Sequence, residues 1–140
     1  MSKIMSKLYD IVEDMEFISS KDYNFRSKKW FFISGPMRGK KDWNKEAFFD
    51  CEEKLYDMCG HDPNIYNPAR ENIKNIDGDR PFTANMKRTL RQLLSKRDWG
   101  RGVYYVDAII LLPGWNESYG AIVEAIVAWE TGIDLVLWEE

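Results

Sequence analysis

Histidine is almost absent from this chain: His61 is the only one among 140 residues. A Ser-His-Asp or Cys-His mechanism therefore has one candidate base. It stands in the turn Gly60-His-Asp-Pro63, where a surface loop histidine is the plainer reading. Cysteine is nearly as scarce. Cys51 and Cys59 fall on one expected helix at a spacing that suits neither a disulfide framework nor a zinc site. No metal and no cofactor is expected from these residue types. Long apolar runs are missing too: none approaches the roughly 18 residues of a membrane span. The opening MSKIMSKLYD has no apolar core of a signal peptide. There is no basic excess either. Twenty Lys and Arg against 23 Asp and Glu give a net charge of -3, which argues against a nucleic-acid surface. What remains is a reduced, cytoplasmic globular chain, long enough to bury its own core as one domain.

The stretch from Asp107 to Glu124 organises the rest. Ala108 to Leu112 is apolar without alternation, the pattern of a strand covered on both faces in a parallel sheet. Pro113 and Gly114 stop it, and Ser118 is placed as the N-cap of a helix. Polar groups thus gather at the carboxyl end of a strand, where open α/β sheets bind ligands.

Earlier in the chain, residues 4–17 set Ile4, Leu8, Ile11 and Met15 on one helical face, and Ser19 to Lys29 reads as a polar linker. Trp30-Phe-Phe-Ile33 is a first strand that runs into Ser34-Gly-Pro-Met-Arg-Gly39. Glycines after a strand let backbone N–H groups approach an anion, and Arg38 offers a fork; the same residues also make an ordinary turn. Asp42 to Met58 forms a helix with Phe48, Cys51, Leu55 and Met58 on its seam, ended by Gly60. Ile65 and Tyr66 form a short strand closed by Asn67-Pro68. Ala69 to Phe82 has neither period and reads as a lid, a binding loop or a disordered segment. Thr83 is expected to cap a helix with Met86, Leu90, Leu93 and Leu94 inward. Lys87, Arg88, Arg91, Lys96 and Arg97 form its solvated basic face, and Asp98 ends it. Gly132 closes the helix that Ser118 opens, and Ile133 to Trp138 is the last strand.

Alternating strands and helices give a parallel sheet with helices on both faces and right-handed crossovers. With strand order 2-1-3-4, the loops carrying Ser34–Gly39 and Trp115–Glu124 meet at the switch point. Within the last helix, Ile122, Ala125, Ile126 and Trp129 make an apolar face, yet the opposite side is also small or apolar. A helix apolar nearly all round is buried, so Glu124 needs a reason, because an unpaired buried carboxylate is costly. It is either paired with an arginine or reaching solvent, or it is kept for a substrate.

Phe32-Ile-Ser-Gly-Pro-Met-Arg-Gly39, Tyr66-Asn-Pro68 and Asp107 to Trp115 followed by Ser118-x-Gly-Ala-x-x-Glu124 resemble the DUF4406 family. That family is similar in pattern to nucleoside 2-deoxyribosyltransferases and deoxynucleoside 5'-monophosphate N-glycosidases. The resemblance implies an α/β, Rossmann-like or flavodoxin-like sheet of four to five strands over residues 30–140, with 1–29 as an N-terminal helix and linker. It implies Glu124 as nucleophile and Asp98 as the acidic residue beside it. Ser118 would bind a 5'-phosphate, and Ser34, Gly35, Pro36, Met37, Arg38 and Gly39 would line the sugar and phosphate. Trp115 and Gly120 complete the implied substrate-binding set. Three departures stand out: Phe32 replaces a common tyrosine, Asp98 lies one residue further from Asp107 than in those enzymes, and the Trp115–Ser118 loop is bulkier.

The implied reaction suits a carboxylate. The anomeric carbon becomes cation-like as the base leaves, and a carboxylate stabilises it or forms an ester. A Glu at its ordinary pKa of about 4.3 is ionised near neutrality, while Asp98 would supply the leaving base with a proton. The expected partner is a nucleoside or nucleotide substrate, with no nucleic acid and no membrane. The alternatives are a non-catalytic nucleotide-binding module that kept the pocket, and a structural partner-binding protein. Trp43, Phe48, Phe49, Tyr119 and Trp129 are more apolar surface than a small sheet covers alone, so a homodimer or higher homo-oligomer is expected.

Overall fold

The computed structural model describes residues 3–71, 81–99 and 102–139. Its elements are α1 (Lys3–Glu13), β1 (Ile18–Ser19), β2 (Trp30–Ser34), α2 (Lys45–Cys59), β3 (Asn64–Tyr66), α3 (Pro81–Leu94), β4 (Arg97–Trp99), β5 (Gly102–Tyr104), β6 (Ala108–Leu111), α4 (Tyr119–Glu130) and β7 (Asp134–Leu137). The main sheet runs β1-β7-β6-β2-β3, and every neighbouring pair is parallel. The four strands expected from the sequence stand in the expected order, with β1 added outside β7. Ser19, read as the start of a linker, is therefore in the sheet, where it pairs with Leu137.

The non-alternating runs explain themselves by burial on both faces. All five residues of β2 and all four of β6 are buried. Trp30, Phe32, Ile109 and Leu111 point to one face, where Ile122 and Ala125 of α4 and Leu93 of α3 close over them. Phe31, Ile33, Ala108 and Ile110 point to the other, against Phe48, Cys51 and Leu55 of α2. Full burial of each such large side chain is worth about 1.5–3 kcal/mol, so the two central strands anchor the fold. Asp107 fixes the start of that pairing: its carboxylate accepts from the N–H groups of Lys29 and Trp30 at 2.8 and 3.0 Å.

Several local readings shift. Helix α1 ends at Glu13, and Met5, Leu8, Tyr9 and Val12 pack on the core while Ile11 is exposed. The i→i−3 bonds from Asp14 and Met15 tighten the chain just past the helix, which brings Met15 inward on a different turn from the one the helical period assigns. The α2 seam is Phe48, Cys51, Leu55 and Cys59, with Met58 beside it and partly exposed. Gly60 takes the left-handed C-cap conformation, φ 67°. Helix α3 begins at Pro81, a residue suited to a first helical turn, and stops at Leu94. Asp98 does not end this helix. It lies in β4, which pairs antiparallel with β5, opposite Val103. Residues 72–80, most of the stretch read as a lid or binding loop, are outside the described residues.

Candidate active site

The crevice lies at the carboxyl ends of β2 and β6, which are neighbours in the sheet, with Ser34 in register with Leu111. Two glycines let the loops that leave these strands close on each other. A Cβ on Gly35 would stand 2.8 Å from Leu112 Cβ, and one on Gly114 would stand 3.3 Å from Pro36 Cγ, where φ is also +86°. Neither position admits a side chain without displacement or strain. The Asn44 side chain donates to the Pro36 carbonyl at 2.9 Å and holds the first loop from the far side. Asp42, Trp43 and Asn44 carry it round in three successive left-handed residues, φ 49°, 56° and 62°.

These loops and helices α3 and α4 enclose a cavity of about 590 Å³, within the range of small-molecule sites. Among the residues singled out from the sequence, Gly35, Pro36, Met37, Arg38, Ser118, Gly120 and Glu124 line it. Ser34 is buried at its edge. Ser118 opens α4, its hydroxyl accepting from the Ala121 N–H at 3.3 Å. Gly39 sits in a turn with φ +75° and does not line the cavity. Nor does Trp115, which is buried in the core with its ring 5.4 Å from that of Phe17. The side chain of Asp98 lies outside what the structure describes.

Glu124 is a carboxylate on the wall of this cavity. It is buried on α4, and the Ser34 hydroxyl donates to its Oε1 at 2.6 Å. Burial raises the carboxyl from its ordinary 4.5 to about 7, and hydrogen bonds from Ser34 and Thr89 hold that rise back. The single Thr89 hydroxyl proton has two takers, Glu124 and the Met86 carbonyl at 3.3 Å. The expectation that an ordinary glutamate would be fully ionised at neutral pH is therefore replaced by a carboxyl near half-protonation there. The cost of desolvating the anion exceeds what two hydroxyl donors return.

Other wall residues were not singled out for the site by sequence: Lys40, Trp43, Pro68, Met86, Arg88 and Thr89. Arg88 is the clearest case, because the basic side of α3 reads as solvated from its sequence. It is instead partly buried, with its Nε 2.5 Å from Glu71 Oε2. Pro68 arrives through a local device that the sequence does carry. Asn67 accepts from the Ala69 N–H at 2.9 Å and caps the short turn Pro68–Arg70, leaving Pro68 at the cavity.

A five-stranded parallel sheet with helices on both faces, and a crevice holding a buried carboxylate at its switch point, defines an α/β protein with a cavity of small-molecule size. Within that class the chain has a definite family. It belongs to the family described as a domain of unknown function, DUF4406, which matches residues 29–137. No curated protein and no solved structure matches the chain. Among the described residues no helix is long and apolar enough to cross a membrane, and no cluster of three or more His, Cys, Asp or Glu is placed to hold a metal ion.

Proposed function

We propose that the protein cleaves or exchanges the N-glycosidic bond of a deoxynucleoside or its 5'-monophosphate, with Glu124 as nucleophile. The observation that carries this reading is a buried carboxylate at the wall of a 590 Å³ cavity, hydrogen-bonded by Ser34 and bordered by small residues of α4. The ionised carboxylate attacks the anomeric carbon as its bond to the base nitrogen breaks, giving a glycosyl ester and a base that takes up a proton. The resemblance offers Asp98 for that proton. Water then frees the sugar, or a second base nitrogen replaces it. Arg38 and Lys40 on the first loop, with Ser118 at the start of α4, suit a phosphate group on the same substrate.

Release of free base from a panel of deoxynucleosides and their monophosphates, followed by chromatography, tests the proposal. Turnover of at least one is expected, and none from any would overturn it. The raised pKa of Glu124 favours one rival, a nucleotide-binding module without chemistry, because a half-protonated carboxyl is a weaker nucleophile at neutral pH. That rival gives thermal stabilisation by nucleotide without product.

The same proposal includes a homodimer. Phe49 and Tyr56 on α2 and Tyr119 on α4 are between 36% and 44% exposed, which supports it, whereas Phe48 is fully buried within the chain. Light scattering after size exclusion should give twice the 16.5 kDa of one chain; a 16.5 kDa species would refute the dimer.

A further inference from the structure

A strained stretch of the cavity wall holds a side chain that neither core uses. Trp43 lines the cavity and is partly buried. Trp30, Trp115, Trp129 and Trp138 pack in the two hydrophobic cores, but Trp43 joins neither. Among the described residues its indole makes no ring contact and no hydrogen bond. Asp42, Trp43 and Asn44 all have positive φ, 49°, 56° and 62°. Asp and Asn tolerate that region because a short polar side chain can bond locally, whereas a bulky residue there is an outlier.

A turn that only had to redirect the chain could carry glycine or asparagine at position 43. Its own bonds do not use the indole. The Trp43 N–H donates to the Lys40 carbonyl at 3.1 Å, and the Asn44 side chain donates to the Pro36 carbonyl at 2.9 Å. Asn44 lines a separate cavity of about 220 Å³, while Trp43 lines the larger one. Strain of this kind persists only where the surroundings hold it, and it gathers at ligand clamps. Pro68, from the turn after β3, and Met86 of α3 add apolar wall to the same cavity.

We propose that Trp43 is a stacking platform for a planar conjugated ring of the ligand, and that it sets the site's preference for ring-bearing compounds. That the ring is a nucleobase rests on the nucleotide reading of the cavity. The stacking itself does not depend on Glu124 forming a bond.

The full chain is titrated with deoxyadenosine and thymidine 5'-monophosphates, and with 2-deoxyribose 5-phosphate, which has the sugar and phosphate without a ring. Binding is read from saturation transfer to the ligand protons and, for the nucleotides, from quenching of tryptophan emission. Where base is released during a titration, it is repeated on Glu124→Gln chains. At least one nucleotide should bind wild type and quench its emission. Trp43→Ala should bind that nucleotide about tenfold more weakly, within the range for loss of one base–aromatic stack. Trp43→Phe should recover most of the affinity but not the quenching. Trp43→Gly should bind as weakly as the alanine variant yet melt above it, because glycine accepts the left-handed backbone. The ring-less compound should bind weakly or not at all, and Trp43→Ala should leave it unchanged.

The inference is overturned if neither nucleotide binds wild type, or if Trp43→Ala binds as tightly as wild type. It also fails if Trp43→Phe binds as weakly as Trp43→Ala or is quenched as fully as wild type. Equal weakening of the ring-less compound, or a glycine variant that melts no higher than the alanine one, would sink it as well. Base release on the same preparations keeps the two proposals apart. Trp43-dependent binding without released base leaves the stacking and defeats the glycosidic reading. Release with one KM in wild type and Trp43→Ala does the reverse.

Discussion

Ser34 and Glu124 lie ninety positions apart, yet the Ser34 hydroxyl donates to Glu124 Oε1 at 2.6 Å inside the protein. The bond joins the carboxyl end of β2 to the second turn of α4. It stabilises the charged form of a carboxyl that burial otherwise pushes towards its neutral form. Ser34→Ala should therefore move the Glu124 transition further up. The acid limb of base release should shift to higher pH, and an unmoved limb would show that the hydroxyl does not act on Glu124. Thr89→Val should shift the limb in the same direction.

Replacing the nucleophile tests the chemistry directly. Glu124→Gln is nearly isosteric and should lose on the order of 10³-fold or more in base release. Nucleotide-induced stabilisation should persist in the variant, because its cavity is intact. Unchanged turnover would remove Glu124 from the mechanism.

The same group makes stability depend on pH in a definite direction. Its pKa is raised from 4.5 to about 7 on folding, so the native state holds the proton more tightly than the unfolded chain. The stabilisation is fully present below about pH 4.5 and is lost as pH rises through about 7, a difference on the order of 3 kcal/mol. Glu124→Gln abolishes this dependence. At pH values above 7 it should melt several degrees above wild type, and near pH 4.5 the two should converge. Parallel melting curves across the window would contradict the buried carboxyl.

Gly35→Ala places a methyl group 2.8 Å from Leu112 Cβ, a backbone-proximal atom with little freedom to yield. The loops after β2 and β6 must separate, at a cost of about 1–3 kcal/mol. Because those loops form the cavity, activity should fall by more than the loss of folded protein explains. Chemical denaturation and base release on the same sample separate the two effects.

Asp107→Ala leaves the N–H groups of Lys29 and Trp30 without their carboxylate acceptor. A loss of about 1.5–3 kcal/mol is expected, the range for hydrogen bonds to charged groups. Asp107 ties the starts of β2 and β6 together, at the other end of these strands from Glu124, so the pH limb of any activity should stay where it is.

The sequence by itself determined the elements whose information is local. Non-alternating apolar runs marked β2 and β6, Ser118 marked the start of α4, and Gly60 marked the end of α2. The strand order 2-1-3-4 came from the common doubly wound arrangement, and given that order the meeting of the two loops followed. The identity of Glu124 as the residue needing explanation was also legible, because a carboxylate on a helix apolar nearly all round contradicts its surroundings. Only the tertiary structure decided the state of that carboxylate. Its pKa depends on how much water distant segments remove and on which hydroxyls they bring, and Ser34 and Thr89 are remote from it in sequence. The same holds for Arg88, whose neighbours on α3 give it the appearance of a solvated basic residue until Glu71 and Tyr66 arrive from another element. Trp115 shows the converse: its loop borders the cavity, but its side chain is buried in the core beside the Phe17 ring. Period and caps are written in neighbouring residues, whereas desolvation and pairing are set by whatever the fold places alongside.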